Sequence, residues 1–229
     1  MARFISVGSL IDLQNRIIKR SSIKDESKIF KGTSGIDLQK TIDSASPGDT
    51  IYIDGNTTIN ADDLGKNSII IDKAITLASN RGEKKNGKLH YGALIKRGNI
   101  IGSSPLIFIK KGAGLVKISG LRFQGSQSAD WDHVCIWIES HDNVSVEGCE
   151  IRKWSDRAIG LYPSPKIFVK KHLVAAFNYI HNNYNLKDPG SGTGYGVAVA
   201  TSEAMIFGNY FHSNRHDIYG GGLPNCAYE

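Results

Sequence analysis

The sequence predicts an all-β fold: a right-handed, single-stranded parallel β-helix, or solenoid, with a short N-terminal capping helix. Three observations predict it: an eight-residue pattern that recurs four times, a strand-like segment after each copy, and an amphipathic segment with turn residues ahead of them. The chain has 229 residues, enough for one elongated core, and we interpret it as one domain. Residues 1–34 are an N-terminal extension, and residues 35–229 form the β-helix, whose C-terminus lacks a polar cap, as a truncated solenoid would.

The four copies of the pattern carry apolar residues at their first, third and eighth positions. They are VKISGLRF, VSVEGCEI, LVAAFNYI and AMIFGNYF, which begin at Val116, Val144, Leu173 and Ala204. Their starts are spaced by 28, 29 and 31 residues, which is typical of one coil per repeat. Stacked coils place equivalent side chains above one another. We therefore expect one continuous core that includes Val144, Val146, Ile151, Ile180, Ile206 and Phe211.

A second strand is predicted after each copy, at VCIWI, AIGLY, GVAVA and DIYGG, and the connections that lead to these strands differ in length. The longest connection runs from His181 to Tyr195. Stacking brings these connections to one edge of the solenoid, where binding residues concentrate on a rigid scaffold. Asn178 and Asn209 share one position of the pattern, and we expect them to bond turn backbone and each other at a coil corner.

The segment before the repeats predicts a cap and a first strand. Ile36, Leu38, Ile42 and Ala45 give the segment from Gly35 to Ala45 an irregular apolar face, so we expect a short helix that covers the first coil. The turn residues Pro-Gly-Asp follow at 47–49, and apolar alternation then begins at Ile51.

Composition sets limits on partners and location. The net charge of +6 mildly favours an acidic partner, and no nucleic-acid-binding motif accompanies the basic residues. Three scattered cysteines are too few for a metal cluster, and we expect Cys135 and Cys149 to be buried thiols. The sequence shows neither a continuous apolar signal segment nor an apolar run long enough to span a membrane.

The helix-turn-strand opening and the four repeats resemble the pectin-lyase-like superfamily of right-handed parallel β-helix proteins over roughly residues 35–229. The resemblance implies a location outside the cell or at its surface, and a carbohydrate-active protein: a lyase or hydrolase acting on an acidic polysaccharide. The superfamily also includes epimerases, tailspike-like proteins and non-catalytic surface proteins, so a non-catalytic glycan-binding or structural module is the alternative. Asp188-Pro189-Gly190 lacks the His of the Asp-Pro-His turn of alginate epimerases, so that active site is not carried over.

The candidate site combines side chains of the stacked connections, which we expect to line one exposed groove on the lateral face of the solenoid. Arg215, His216 and Asp156 are the catalytic candidates, because a base and a cation are what proton abstraction beside a uronate carboxylate requires. Arginine also clamps carboxylates, and aromatic rings offer flat faces to sugars. The substrate-binding candidates are Trp131, Trp154, Arg157, His181 and Tyr195.

Other interpretations of these residues stay open. Asp156 and Arg157 can equally form a surface ion pair, the tryptophans can pack loops on the scaffold, and the histidines can be exposed turn residues. Asp130, Asp132 and Asp156 carry the oxygen ligands that calcium prefers, but without the spacing of a compact ligand motif, so no metal site is predicted.

Overall fold

The described residues form an all-β architecture of three parallel sheets, with one small antiparallel hairpin and a short helix. The computed structural model describes residues 29–98, 104–127, 133–140, 142–162, 172–190, 192–222 and 226–228. We call the sheets A, B and C, and each passage of the chain through A, B and C a rung. Every strand pair within the three sheets is parallel.

The strands, numbered in chain order, fall into the sheets as follows. Sheet A contains β1 (Ile29–Phe30), β2 (Thr50–Ile53), β5 (Thr76–Ala78), β10 (Val116–Ser119), β13 (Val144–Glu147), β16 (Leu173–Ala176), β19 (Ser202–Phe207) and β22 (Cys226–Tyr228). Sheet B contains β3 (Thr58–Asn60), β8 (Leu94–Lys96), β11 (Arg122–Gln124), β14 (Glu150–Arg152), β17 (Tyr179–His181) and β20 (Tyr210–His212). Sheet C contains β4 (Ile69–Ile71), β9 (Ile107–Ile109), β12 (Val134–Ile138), β15 (Arg157–Leu161), β18 (Tyr195–Val199) and β21 (His216–Gly220). The hairpin pairs β6 (Lys84–Lys85) with β7 (Lys88–Leu89).

The strand register confirms the repeat read from the sequence. Val116 pairs with Val144, Val144 with Leu173, and Leu173 with Ala204, so the four copies stack position by position in sheet A. The last residue of each copy stacks in sheet B in the same way. Alternation in each strand sends one set of side chains inward, and these sets merge into one apolar core. Of the expected core residues, Ile206 and Phe211 are only partly buried. In the described part of the chain, β22 pairs only with residues 202–204 of β19 and so stops short of Ile206, while β20, which carries Phe211, is the last strand of sheet B.

The predicted capping helix is confirmed as α1 (Gly35–Ser44). Its N-terminus is capped by Ser34, whose hydroxyl accepts a hydrogen bond from the Asp37 amide. Leu38 and Ile42 are fully buried in the core that the three sheets share. The helix therefore buries Leu38 and Ile42 at the end of the sheets where β4 begins sheet C, whereas Ile36, which the sequence assigned to the same face, is 42% exposed. A short 3₁₀ helix, Ala61–Leu64, packs against it.

The corner between sheets A and B has two residues in each of the four repeats, and it is held by an asparagine ladder. Asn178 Oδ1 accepts from the Cys149 amide at 2.9 Å, and Asn178 Nδ2 donates to Val146 O and to Asn209 Oδ1, each at 2.9 Å. Asn209 Nδ2 in turn donates to Ala175 O at 2.8 Å. The scaffold role expected for Asn178 and Asn209 is confirmed.

A second asparagine ladder, which the sequence analysis missed, lies at the corner between sheets B and C. Asn183 Oδ1 accepts from the Trp154 amide at 3.0 Å, and Asn183 Nδ2 donates to Asn214 Oδ1 at 2.8 Å. The residues just before these positions, Lys153, Asn182 and Ser213, all adopt a positive φ between 53° and 62°. The B–C corner therefore has the same left-handed turn in three successive rungs. The stacked position lies three residues after the end of each eight-residue copy, so a longer pattern would have included it.

Candidate functional site

The outer side of sheet C brings most of the candidate residues together. Arg157 pairs with Tyr195, and Tyr195 pairs with His216, so the three stack in register on successive rungs. Backbone bonds fix the turns beside them, since Asp156 O accepts from the amides of Gly194 and Tyr195, both at 2.7 Å. Arg215 N donates to Gly194 O at 3.0 Å. The structure thus places Asp156, Arg157, Tyr195, Arg215 and His216 along one corner.

Asp156 and Arg157 form a partly buried ion pair. Arg157 donates from Nε and Nη2 to Asp156 Oδ1, at 2.8 and 2.6 Å, and from Nη1 to the hydroxyl of Tyr162. The side chains are only 15% and 6% exposed, which strengthens such a pair relative to one in water. Asp156 therefore orients Arg157 and neutralises its charge.

Aromatic rings surround the Arg157 guanidinium. Its carbon lies 5.0 Å from the Tyr162 ring centroid, 5.7 Å from that of Trp137 and 5.8 Å from that of Tyr195. Trp137 and Tyr162 stack with centroids 4.4 Å apart and planes 8° apart, and Tyr195 stacks on Tyr219 at 4.6 Å. We call this group, Trp137, Tyr162, Tyr195 and Tyr219 around Arg157, the aromatic face.

Small residues in sheet C make room for the aromatic face. Trp137 pairs with Gly160, Gly160 with Ala198, and Ala198 with Tyr219. A Cβ on Gly160 would lie 3.0 Å from Arg157 Cδ and 3.2 Å from Tyr162 Cε2. This row of paired residues thus has large rings at its two ends, Trp137 and Tyr219. Arg157 and Tyr162 fill the space over the small residues between them.

The titration of Tyr162 suits a hydrogen-bonding role. Burial raises the pKa of the Tyr162 phenol above its ordinary value, and this effect outweighs the opposing effect of the Arg157 charge. The hydroxyl therefore keeps its proton at neutral pH, accepts a bond from Arg157 and still has a donor for a ligand.

The long connection between β17 and β18 closes one side of this corner. The Tyr195 hydroxyl donates to Gly192 O, and a Cβ on Gly194 would lie 2.7 Å from Tyr184 Cα and 3.0 Å from Arg215 Cβ. Gly194 also has a φ of 109°, so a residue without a side chain is required there. The connection packs against Arg215, and this contact sets where Arg215 stands beside the aromatic face.

Two candidate residues do not join this group, and a third lies outside the described residues. Trp154 was expected in an exposed groove, which is wrong: its side chain is fully buried in the core, because the corner turns it inward above Asn183. His181 lies on β17 in sheet B, 8% exposed, with Nε2 at 3.3 Å from Glu150 Oε1. Trp131 lies outside the described residues, as do Asp130 and Asp132.

Sequence reasoning missed Trp137, Tyr162 and Tyr219, which supply most of the aromatic face. The signal was present, because Trp137 and Tyr219 occupy outward positions of strands already predicted from VCIWI and DIYGG. The candidate residues were sought in the connections, whereas these residues lie at outward-facing positions in or directly after the strands.

The described part of the chain holds no group of three or more His, Cys, Asp or Glu side chains arranged for a metal ion. Cys135, Cys149 and Cys226 are free thiols, and the first two are buried as expected. Of the helices in the described ranges, none has the length and apolar character needed to cross a membrane. Comparison with protein-family models, with curated proteins and with solved structures finds no match for this chain.

Proposed function

We propose that the protein is a right-handed parallel β-helix of the pectin-lyase-like type that binds an acidic polysaccharide outside the cell or at its surface. The aromatic face is the observation that carries the proposal. It spans four successive strands of sheet C, from β12 to β21, which is about 14 Å at the spacing of neighbouring strands. A sugar chain lying along the axis would meet a continuous strip of rings over that length.

The chemistry of the corner suits sugars that carry a carboxylate. Trp137, Tyr162 and Tyr219 offer apolar ring surface together with N–H or O–H groups at the ring edges. Arg157 is already neutralised by Asp156, whereas Arg215 and His216 are exposed beside it. Arg215 is thus the group that would hold an acidic substituent, and the rings would hold the sugar.

The geometry favours binding over catalysis. Asp156, one of the three catalytic candidates, is buried and directs Oδ1 at Arg157, which opposes a role as acid or base. A lyase or hydrolase is the second candidate function. It is favoured by His216, which is exposed, in register with Tyr195 and 5.7 Å from its ring centroid.

The test is a screen of the purified chain against uronate-containing and neutral polysaccharides by affinity electrophoresis and calorimetry. Tyr219→Ala should weaken binding about two- to tenfold, the range for one aromatic contact. Arg215→Ala should weaken binding of acidic polymers only, and the loss should shrink at high salt because ions screen exposed charges. Tyr52→Ala, a half-buried tyrosine on the outer side of sheet A, is the matched control and should leave binding unchanged.

The same samples separate the two candidate functions. Formation of unsaturated products or new reducing ends by the wild type, lost in His216→Ala with binding retained, would establish the enzyme. Binding without turnover supports the non-catalytic proposal. Tyr219→Ala and Arg215→Ala proteins that bind as well as the wild type would refute the site.

A further inference from the structure

The outer side of sheet B carries a second row of recognition groups that the sheet C corner does not use. In one column Arg122 pairs with Glu150, Glu150 with Tyr179, and Tyr179 with Tyr210. In the neighbouring column Arg152 pairs with His181, and His181 with His212. Cationic groups therefore lie toward the N-terminal rungs, and aromatic groups follow toward the C-terminal rungs.

Three arginines surround one carboxylate at the cationic end. Arg152 Nη1 lies 3.1 Å from Glu150 Oε1, and Arg81 Nε lies 4.0 Å from Glu150 Oε2. Arg122 Nε donates a hydrogen bond to Gly92 O at 2.9 Å. The pKa of Arg122 is lowered, chiefly by burial; the charge of Glu150 opposes this shift, and the charges of Arg152 and Arg81 add to it. Even when Glu83, two residues after Arg81, is counted with Glu150, three arginines outnumber two glutamates, so the cluster carries a net positive charge.

The β6–β7 hairpin adds further positive charge at the same place. It is an insertion in the A–B corner, between β5 and β8, and its base is tied by a bond from Gly82 N to His90 O at 2.9 Å. Lys84 and Lys88 are exposed on it. Arg81 stands at the start of the insertion, so the hairpin lysines and the arginine cluster are neighbours.

The aromatic end offers exposed ring surface. Tyr179 stacks on His181 with centroids 3.9 Å apart and lies 5.3 Å from Tyr210, whose residue surface is 62% exposed. Tyr210 also aligns with His212, with planes 14° apart. Together these rings form a floor that continues from the arginine cluster along the axis.

We propose that this outer face of sheet B is a second binding surface for an acidic polysaccharide, held at its acidic groups by Arg81, Arg122 and Arg152 and at its rings by Tyr179 and Tyr210. It lies on a different sheet from the aromatic face and stands whether or not that face binds. Charge complementarity identifies an anionic occupant, since the arginine fork matches a carboxylate or a sulfate.

The central glutamate favours a sugar chain over a DNA strand. Glu150 accepts hydrogen bonds and so can bind the hydroxyl groups that each ring of a polysaccharide carries, which the deoxyribose units within a DNA strand lack. Tyr179 and Tyr210 lie side by side as a floor, and each has a histidine of its own strand against it, so they leave no slot between rings for a base.

The experiment measures binding of the full chain to polygalacturonate, to chondroitin sulfate and to an oligothymidine single strand at low ionic strength. Lys84→Gln/Lys88→Gln should weaken binding of the acidic polysaccharides about fivefold, the sum expected for two exposed charge contacts. Tyr210→Ala should weaken it about two- to tenfold. Lys40→Gln/Lys66→Gln is the control, because both lysines are exposed near the capping helix and the change in charge is the same.

Loss in the hairpin pair and in Tyr210→Ala, with the control unchanged, supports the second surface, and the preferred polymer identifies the acidic group. Equal loss in the control pair, unchanged binding in Tyr210→Ala, or tighter binding of oligothymidine than of either polysaccharide would overturn it. Arg215→Ala and Tyr219→Ala, measured alongside, report on sheet C alone, so failure of one surface is distinguished from failure of the other.

Discussion

Replacement of Asn178 by alanine should be among the most costly polar substitutions in the chain. Asn178 is 2% exposed and makes three side-chain hydrogen bonds of 2.9 Å, to the Cys149 amide, to Val146 O and to Asn209 Oδ1. Alanine would leave the Cys149 amide and the Val146 carbonyl without these partners in a dry corner. At about 1–3 kcal/mol for each of these two buried groups left unsatisfied, the free energy of unfolding should fall by about 2–6 kcal/mol.

Urea unfolding followed by circular dichroism measures this loss, and Asn209→Ala is the matched control. Asn209 occupies the same position one rung later but is only half-buried, so water can replace the amide. Its loss should cost about 1 kcal/mol. If Asn178→Ala lowers the free energy of unfolding no more than Asn209→Ala does, then burial does not explain how the asparagine ladder stabilises the fold.

Asn178→Asp tests the direction of the hydrogen bonds at constant shape. The second carboxylate oxygen would face Val146 O and Asn209 Oδ1, which are both acceptors. Burial would raise the pKa of this carboxyl in the folded state above its unfolded value, so the protonated form persists at low pH and still donates one bond. The stability deficit should therefore grow as pH rises through the unfolded pKa. A deficit that does not change with pH would contradict this account.

The remaining predictions test the core, the Glu150 carboxylate and the thiols. Ile180→Asp should prevent folding, since it places a charge in a fully buried position. Ile180→Val should lower the free energy of unfolding by only about 0.5–1.5 kcal/mol. Expression and circular dichroism measure both effects. A hydrogen bond from His181, with help from nearby arginines, lowers the pKa of Glu150 below its ordinary 4.5. Its stabilisation is thus complete above that pH and is lost as pH falls through the folded pKa, so the difference in Tm between wild type and Glu150→Gln should shrink in acid. Burial raises the pKa of the Cys135 thiol, so a thiol reagent should modify Cys226 first and the two buried thiols only on unfolding.

The sequence predicted the sheets well because stacking and periodicity report the same constraint. Val146 must lie under Ala175 if the chain repeats every 28 to 31 residues, and the register places it there. The helix was predictable for a similar reason, since Leu38 and Ile42 lie four residues apart on one face. Local pattern and tertiary packing agree at these positions.

The candidate site was predicted only in part, because the eight-residue pattern ends before the corner between sheets B and C. The register of Arg157 with Tyr195 and His216 follows from the pattern, but the inward turn of Trp154 lies three residues beyond its end. A tryptophan in a polar turn suggests a surface position, yet the left-handed residue before it, Lys153, redirects the chain toward the core. The grouping of Trp137 with Tyr162 depends on the missing side chain at Gly160, which no local pattern reports.

Within the four repeats, the A–B and B–C corners differ in their tolerance of insertions. The A–B corner keeps two residues in the four repeats, whereas the B–C connections between consecutive strands have four residues after β14, thirteen after β17 and three after β20. An added residue at the first corner would displace an asparagine from its stack, while residues added after Asn183 leave both ladders in place. Loop exchange between residues 184 and 193 therefore offers a route by which specificity can diverge, in nature or in the laboratory, without rebuilding the scaffold.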